Sequence, residues 1–144
     1  MKFDRLHSDI EFNCTDQVAE NTGDIFTRKL RGNSVKDRDF ESYWEQGKRP
    51  SDEQLCDRDI VCKYKGVSIH KHESEHKIIK HYEYMHKFAP KHLEGRYYCI
   101  FKLREGAGKV WRTGGGGIKP KHYTFFKSDN FEIDMLGAVK IKGF

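Results

Sequence analysis

A single α+β domain spanning residues 1–144, with two main helices packed on a mainly antiparallel sheet, is the fold class this sequence predicts. Length is the first reason: 144 residues suffice for one domain with a real core and are too few for two typical ones. Aromatic residues, at 13%, supply the large side chains such a core needs. Period-two segments separated by turn residues stand beside one long helical pattern, and neither a repeat nor a linker divides the chain.

Residues 1–33 are mixed, with short strands expected at 2–6 and 24–30. Ser34 or Asp37 is placed to cap a helix through Val35, Phe40, Tyr43 and Trp44, which Gly47 stops. Residues 48–53 read as a loop. The β-branched stretch 60–69 predicts a strand. A helix follows over roughly 72–88 and must end by Ala89, because Pro90 comes next. Segments 97–103 and 110–113 read as paired strands about the turn at 105–108. Residues 114–117, four glycines, have the backbone freedom of a mobile loop, and 122–126 and 138–141 predict two further strands.

Charge is unevenly distributed. Residues 1–62 hold 10 basic and 14 acidic side chains, whereas 63–127 hold 15 basic and 5 acidic, a local excess of +10. Such a field favours nucleic acid, phosphate-bearing ligands or an acidic protein partner. No apolar run approaches a membrane span and the N-terminal residues lack an apolar signal core, so the expectation is a cytoplasmic protein with no membrane partner. Cys14, Cys56, Cys62 and Cys99 form no C-x-x-C and are expected as free, mostly buried thiols.

The sharpest string is His72-Glu73-Ser74-Glu75-His76, a literal H-E-x-x-H. On a helix it sets two imidazoles one turn apart, able to hold zinc while Glu73 acts as general base. Stepping residues at 100°, however, centres the apolar stripe Ile78, Tyr82, Met85 and Ala89 near Tyr82. His72 and His76 then fall on the polar face with Lys80, Glu83 and Lys87. A third ligand would have to come from Glu83, His86, His92 or His122. The expectation is a solvated face of histidine, lysine and glutamate, with zinc binding by His72 and His76 as the alternative. Were the preceding strand to reach residue 72, His70 and His72 would share a face. Cys56, Cys62, His70 and His72 match the spacing of no compact zinc module.

Lys109, Trp111, Arg112, Lys119, Lys121, His122 and Tyr123 interleave cations and rings about the glycine run, a composition suited to single-stranded nucleic acid. The glycines are not a phosphate-binding Walker loop, since Ile118 and Lys119 follow them. His122-Tyr123-Thr124 resembles half of a two-histidine phosphoesterase pattern without its second half.

Three segments, Phe26-Thr27-Arg28-Lys29-Leu30, Arg49-Pro50-Ser51 and Gly66-Val67-Ser68-Ile69, together resemble a set of small uncharacterised bacterial proteins with no known activity. The likeness covers about a third of the chain. It departs after Ser51, where Asp52 and Glu53 replace the usual second serine and phenylalanine. The resemblance implies a bacterial or mobile-element setting, and makes Arg28, Arg49, Ser51, Ser68 and His122 candidates for binding a phosphate or nucleotide. The functional expectation is a small intracellular accessory protein that binds nucleic acid or an acidic protein through its central basic surface. A zinc-dependent hydrolase is the alternative, and a nucleotide-handling bacterial toxin or defence component the second alternative.

Overall fold

Six strands, β1 (Ile25–Leu30), β2 (Val67–His72), β3 (Tyr97–Leu103), β4 (Gly108–Gly116), β5 (Lys119–Lys127) and β6 (Leu136–Gly143), pair antiparallel in one sheet of order β4-β5-β2-β1-β3-β6. Among the described residues three α-helices accompany them: α1 (Asp4–His7), α2 (Arg58–Lys65) and α3 (Glu75–Phe88). The fold is known from a computed structural model describing residues 1–92, 97–117 and 119–143, without the His92 side chain. The α+β class expected from sequence is the class observed.

The sheet curls strongly, and chain connectivity requires it. β3 and β4 lie four sheet steps apart, which at roughly 4.8 Å per step is about 19 Å in a flat sheet. Only residues 104–107 join them, and five Cα steps reach at most about 18 Å. That connection is a tight turn, with the Ala107 amide donating to the Arg104 carbonyl at 3.1 Å. These two strands are therefore not a pair, contrary to expectation: β3 pairs with β1 and β6, and β4 with β5.

The concave face holds the main core, where Phe26, Leu30, Phe40, Val67, Ile69, Phe101, Leu103, Val110 and Phe125 are buried together. α3 covers part of the opposite face. Its Ile78 and Tyr82 pack on Tyr98 and Ile100 of β3, and the Tyr82 and Tyr98 rings stack at 3.9 Å. A third cluster beside α1 and α2 joins Phe3, Leu6 and Phe126 to Cys14 and Cys62.

Several local expectations yield to longer-range contacts. Residues 4–7 form one helical turn rather than a strand, because the Asp129 carboxylate accepts the Asp4 and Arg5 amides at 3.0 and 2.9 Å. No continuous helix runs from residue 35 to 47. Asp39 instead accepts the amides of Arg31 and Lys36, locking a short turn that drives Phe40 into the core. Ser42 and Glu45 then exchange side-chain hydrogen bonds around a second turn that Gly47 ends at φ +84°. Residues 58–65 are helical, not extended: Asp57 caps α2 by accepting the amides of Asp59 and Ile60.

The strand expected at 60–69 begins only at Val67, after Gly66. There a Cβ would come within 2.2 Å of Thr124 Cγ2, so β2 enters the sheet where only glycine fits. Ser74 caps α3 by accepting the Lys77 amide, which places the helix start after the first histidine of H-E-x-x-H. Cys14 and Cys62 form a disulfide, correcting the expectation of four free thiols; Cys56 is free and exposed, Cys99 free and buried.

Candidate functional site

β2 alternates its side chains, sending Val67 and Ile69 into the core and Ser68, His70 and His72 to the α3 face. The shared face expected for His70 and His72 is thus realised, because β2 runs through residue 72. In the antiparallel register His70 lies opposite His122 of β5 and Ser68 opposite Thr124. The His70 and His122 rings meet edge to face at 5.2 Å. From α3, His81 approaches the other end of this row, 6.2 Å from His72 between ring centres.

Hydroxyls fix two of these imidazoles. His122 Nδ1 lies 2.5 Å from Thr113 Oγ1, which is also 3.0 Å from Thr124 Oγ1, while His122 Nε2 lies 3.1 Å from Ser68 Oγ. His72 is only 7% exposed, and its Nε2 lies 2.8 Å from Thr27 Oγ1, which also accepts the Tyr82 hydroxyl at 3.4 Å.

Between α3 and the β4–β5 hairpin these residues line two adjoining cavities. One, of about 500 Å³, is walled by His72, Glu73, Lys77, Lys80, His81, Tyr84, Lys119 and Lys121 with Gly116, Gly117 and Pro120. The other, of about 410 Å³, adds His70, Met85, Gly115 and His122, and shares His81, Tyr84, Lys119 and Pro120 with the first. Gly115 is indispensable to the hairpin wall: its φ is +72°, and a Cβ there would come 2.1 Å from the Pro120 carbonyl. A smaller cavity of about 160 Å³ near Trp44 is lined by Lys65 and Lys127, but these pair with Asp9 and Glu45.

The cleft's positive charge resides in lysines. Lys77 pairs with Glu73 at 2.6 Å, whereas Lys80, Lys119 and Lys121 form no ion pair among the described residues. All four imidazoles are pushed toward neutrality. Burial lowers His70 to about 4, helped by repulsion from His122, His81, Lys29 and Arg28. Burial likewise takes His72 to about 4, assisted by His81 and His70. His81 is lowered by burial and Lys29, and His122 by burial and Lys63. The cleft thus offers uncharged proton acceptors beside fixed cations, and an entering anion would draw protons onto the imidazoles.

The sequence candidates divide. Lys119, Lys121 and His122 line the cleft. Lys109 instead lies over the Phe3 ring, and Trp111 stacks on Phe126 with Arg58 and Lys63 nearby. Arg112 donates to the Gly114 and Gly115 carbonyls and so braces the hairpin, while Tyr123 packs edge-on to Phe26 at the core margin. Of the phosphate candidates, Ser68 bonds His122, and Arg28 donates to the Ser68 and Asp39 carbonyls from a half-buried position over Phe40. Arg49 lies on the Trp44 ring at 3.9 Å, and Ser51 exchanges hydrogen bonds with Gln54, both remote from the cleft in their contacts.

His72 and His76 do not share a helix. His72 ends β2, and His76 is exposed in the first turn of α3, so the one-turn spacing of the zinc signature is not realised. Glu73 is held by Lys77. Cys62 is consumed by its disulfide with Cys14. Among the described residues no three His, Cys, Asp or Glu side chains are grouped to hold a metal ion.

Sequence reasoning did not single out His81, Thr27, Thr113 and Tyr84. His81 and Tyr84 carried a usable signal, a histidine and an aromatic on the same long helix. The two threonines carried none, since their role depends on strand register. No family model, no curated protein and no solved structure matches this chain.

Proposed function

We propose that this protein binds single-stranded nucleic acid in the cleft between α3 and the β4–β5 hairpin. One observation carries the reading: Lys80, Lys119 and Lys121 flank the same pair of cavities as four neutral imidazoles and the ring of Tyr84, which is 58% exposed. Cations suit the phosphates, the His70 and His81 imidazoles donate or accept hydrogen bonds at the backbone, and the ring offers a base a surface to stack on. The basic centre of the chain supplies the long-range field.

Fluorescence anisotropy with a labelled single-stranded oligonucleotide tests it across a salt series. Three phosphate contacts give a slope of log affinity against log salt of about −2. The double variant Lys119→Ala/Lys121→Ala should flatten that slope by about 1.4. Absence of binding at low salt refutes the reading.

A further inference from the structure

The 410 Å³ cavity has imidazoles on facing walls, His70 and His122 from the sheet and His81 from α3, with Lys119 at its rim. His122 is committed at both ring nitrogens, to Thr113 and Ser68. His70 and His81 differ. Neither makes a side-chain hydrogen bond among the described residues, and neither has a ring nitrogen sealed from solvent without a partner. Two uncommitted imidazoles therefore open on one cavity from opposite elements, beside a lysine. A base, an acid and a cation are what internal transesterification at an RNA phosphodiester requires.

We propose that this cavity cleaves single-stranded RNA, with His70 and His81 as the acid–base pair; the proposal rests on the nucleic-acid reading above. His70 removes the proton from a ribose 2′-hydroxyl, and the 2′-oxygen attacks the adjacent phosphorus. The new P–O2′ bond forms as the P–O5′ bond breaks, and the leaving 5′-oxygen takes a proton from His81. The products are a 2′,3′-cyclic phosphate and a 5′-hydroxyl, with no net change in protons or oxidation state. Lys119 stabilises the charge on the non-bridging oxygens. Thr113 holds His122, whose ring lies 5.2 Å from that of His70.

His70 is unprotonated at neutral pH, as its role requires. His70 is held further down than His81, so a phosphate between the two rings returns a proton first to His81, the acid partner.

The test uses the full chain, a labelled single-stranded RNA and chelator in the buffer, with the 2′-O-methyl oligonucleotide of the same sequence as a binding probe. Wild-type protein is expected to yield fragments ending in cyclic phosphate, and to bind the 2′-O-methyl probe without cutting it. His81→Ala and His70→Gln should each lower cleavage by about 100-fold or more while probe affinity changes less than about threefold. His76→Ala, whose side chain is exposed away from both cavities, is expected to cleave normally. Probe binding without RNA cleavage would overturn the catalytic proposal and leave the binding reading standing. Loss of both would overturn both. Cleavage unchanged in the His81→Ala and His70→Gln proteins would also overturn it, by assigning the activity elsewhere; His81→Asn repeats the measurement should either variant fail to fold.

Discussion

Thr27 and His72 meet across the β1–β2 pair, Oγ1 to Nε2 at 2.8 Å, in a pocket closed by Tyr82. This bond lies beneath the cleft and joins α3 to the sheet through three side chains. Thr27→Val keeps the shape but removes the hydroxyl, leaving the His72 nitrogen and the Tyr82 hydroxyl without that partner. The expected loss is about 1–3 kcal/mol, read as a lower urea midpoint. An unchanged midpoint would show that the bond contributes nothing to folding.

Acid should destabilise the fold well above the carboxylate range. His70 and His72 are both near 4 in the folded protein, below the ordinary imidazole value of 6.5. Between those values the unfolded chain binds more protons than the native one, so stability is complete above about pH 6.5 and falls as pH drops toward 4. The groups facing these rings are His81 and Tyr82 from α3, Thr27, Arg28 and Lys29 from β1, and His122 from β5. Each imidazole is worth on the order of 3 kcal/mol across that window. Urea titrations at pH 7.5, 5.5 and 4.5 measure it; a flat profile would contradict the burial of these histidines.

Thiol counting tests the Cys14–Cys62 bridge. Without reductant, Ellman's reagent should find one reactive thiol in the native protein, Cys56, and a second, Cys99, only on denaturation. Burial pushes the Cys99 thiol up to about 12, which keeps it inert. Since the bridge spans 48 residues, chain entropy assigns it about 4 kcal/mol at most, and reduction should lower the denaturation midpoint accordingly. Four thiols before reduction would remove the bridge from the account.

Gly115→Ala tests the hairpin wall. Its Cβ would collide with the Pro120 carbonyl at a backbone angle that disfavours side chains, so the β4–β5 tip must shift. Strain of about 1–3 kcal/mol is expected, with weaker oligonucleotide binding. Gly117→Ala, also at positive φ but with nothing within 4 Å, separates the collision from the backbone angle alone. Equal behaviour of the two variants would discount the collision.

Tyr84→Ala isolates the stacking contribution. The ring is exposed beside Phe88, so its loss should leave stability within about 0.5 kcal/mol of wild type. Oligonucleotide affinity should drop roughly tenfold, the lower part of the range for one base stacked on an aromatic ring. Undiminished affinity would move the binding surface away from α3.

Local patterns announced much of this fold. The strands expected at 24–30 and 97–103 and the stop at Pro90 appear as β1, β3 and the end of α3, because each depends on neighbours in sequence. The one-turn helix at Asp4 depends on Asp129, and the curl of the sheet on a four-residue turn between distant strands; neither is visible in a local window. H-E-x-x-H shows the same division. The string reads as one helix, whereas the chain is strand before Ser74 and helix after.

By itself, then, the sequence determined the α+β class, the cationic centre and the abundance of histidine along residues 70–86. Only the tertiary structure decided which histidines belong together. Strand register set His70 against His122, and α3 packing brought His81 over them, while His76 was left in solvent. The physical reason is that a histidine's role depends on its burial and on which groups face it. Those are set by residues far away in the chain, here Thr27, Thr113 and the glycine hairpin.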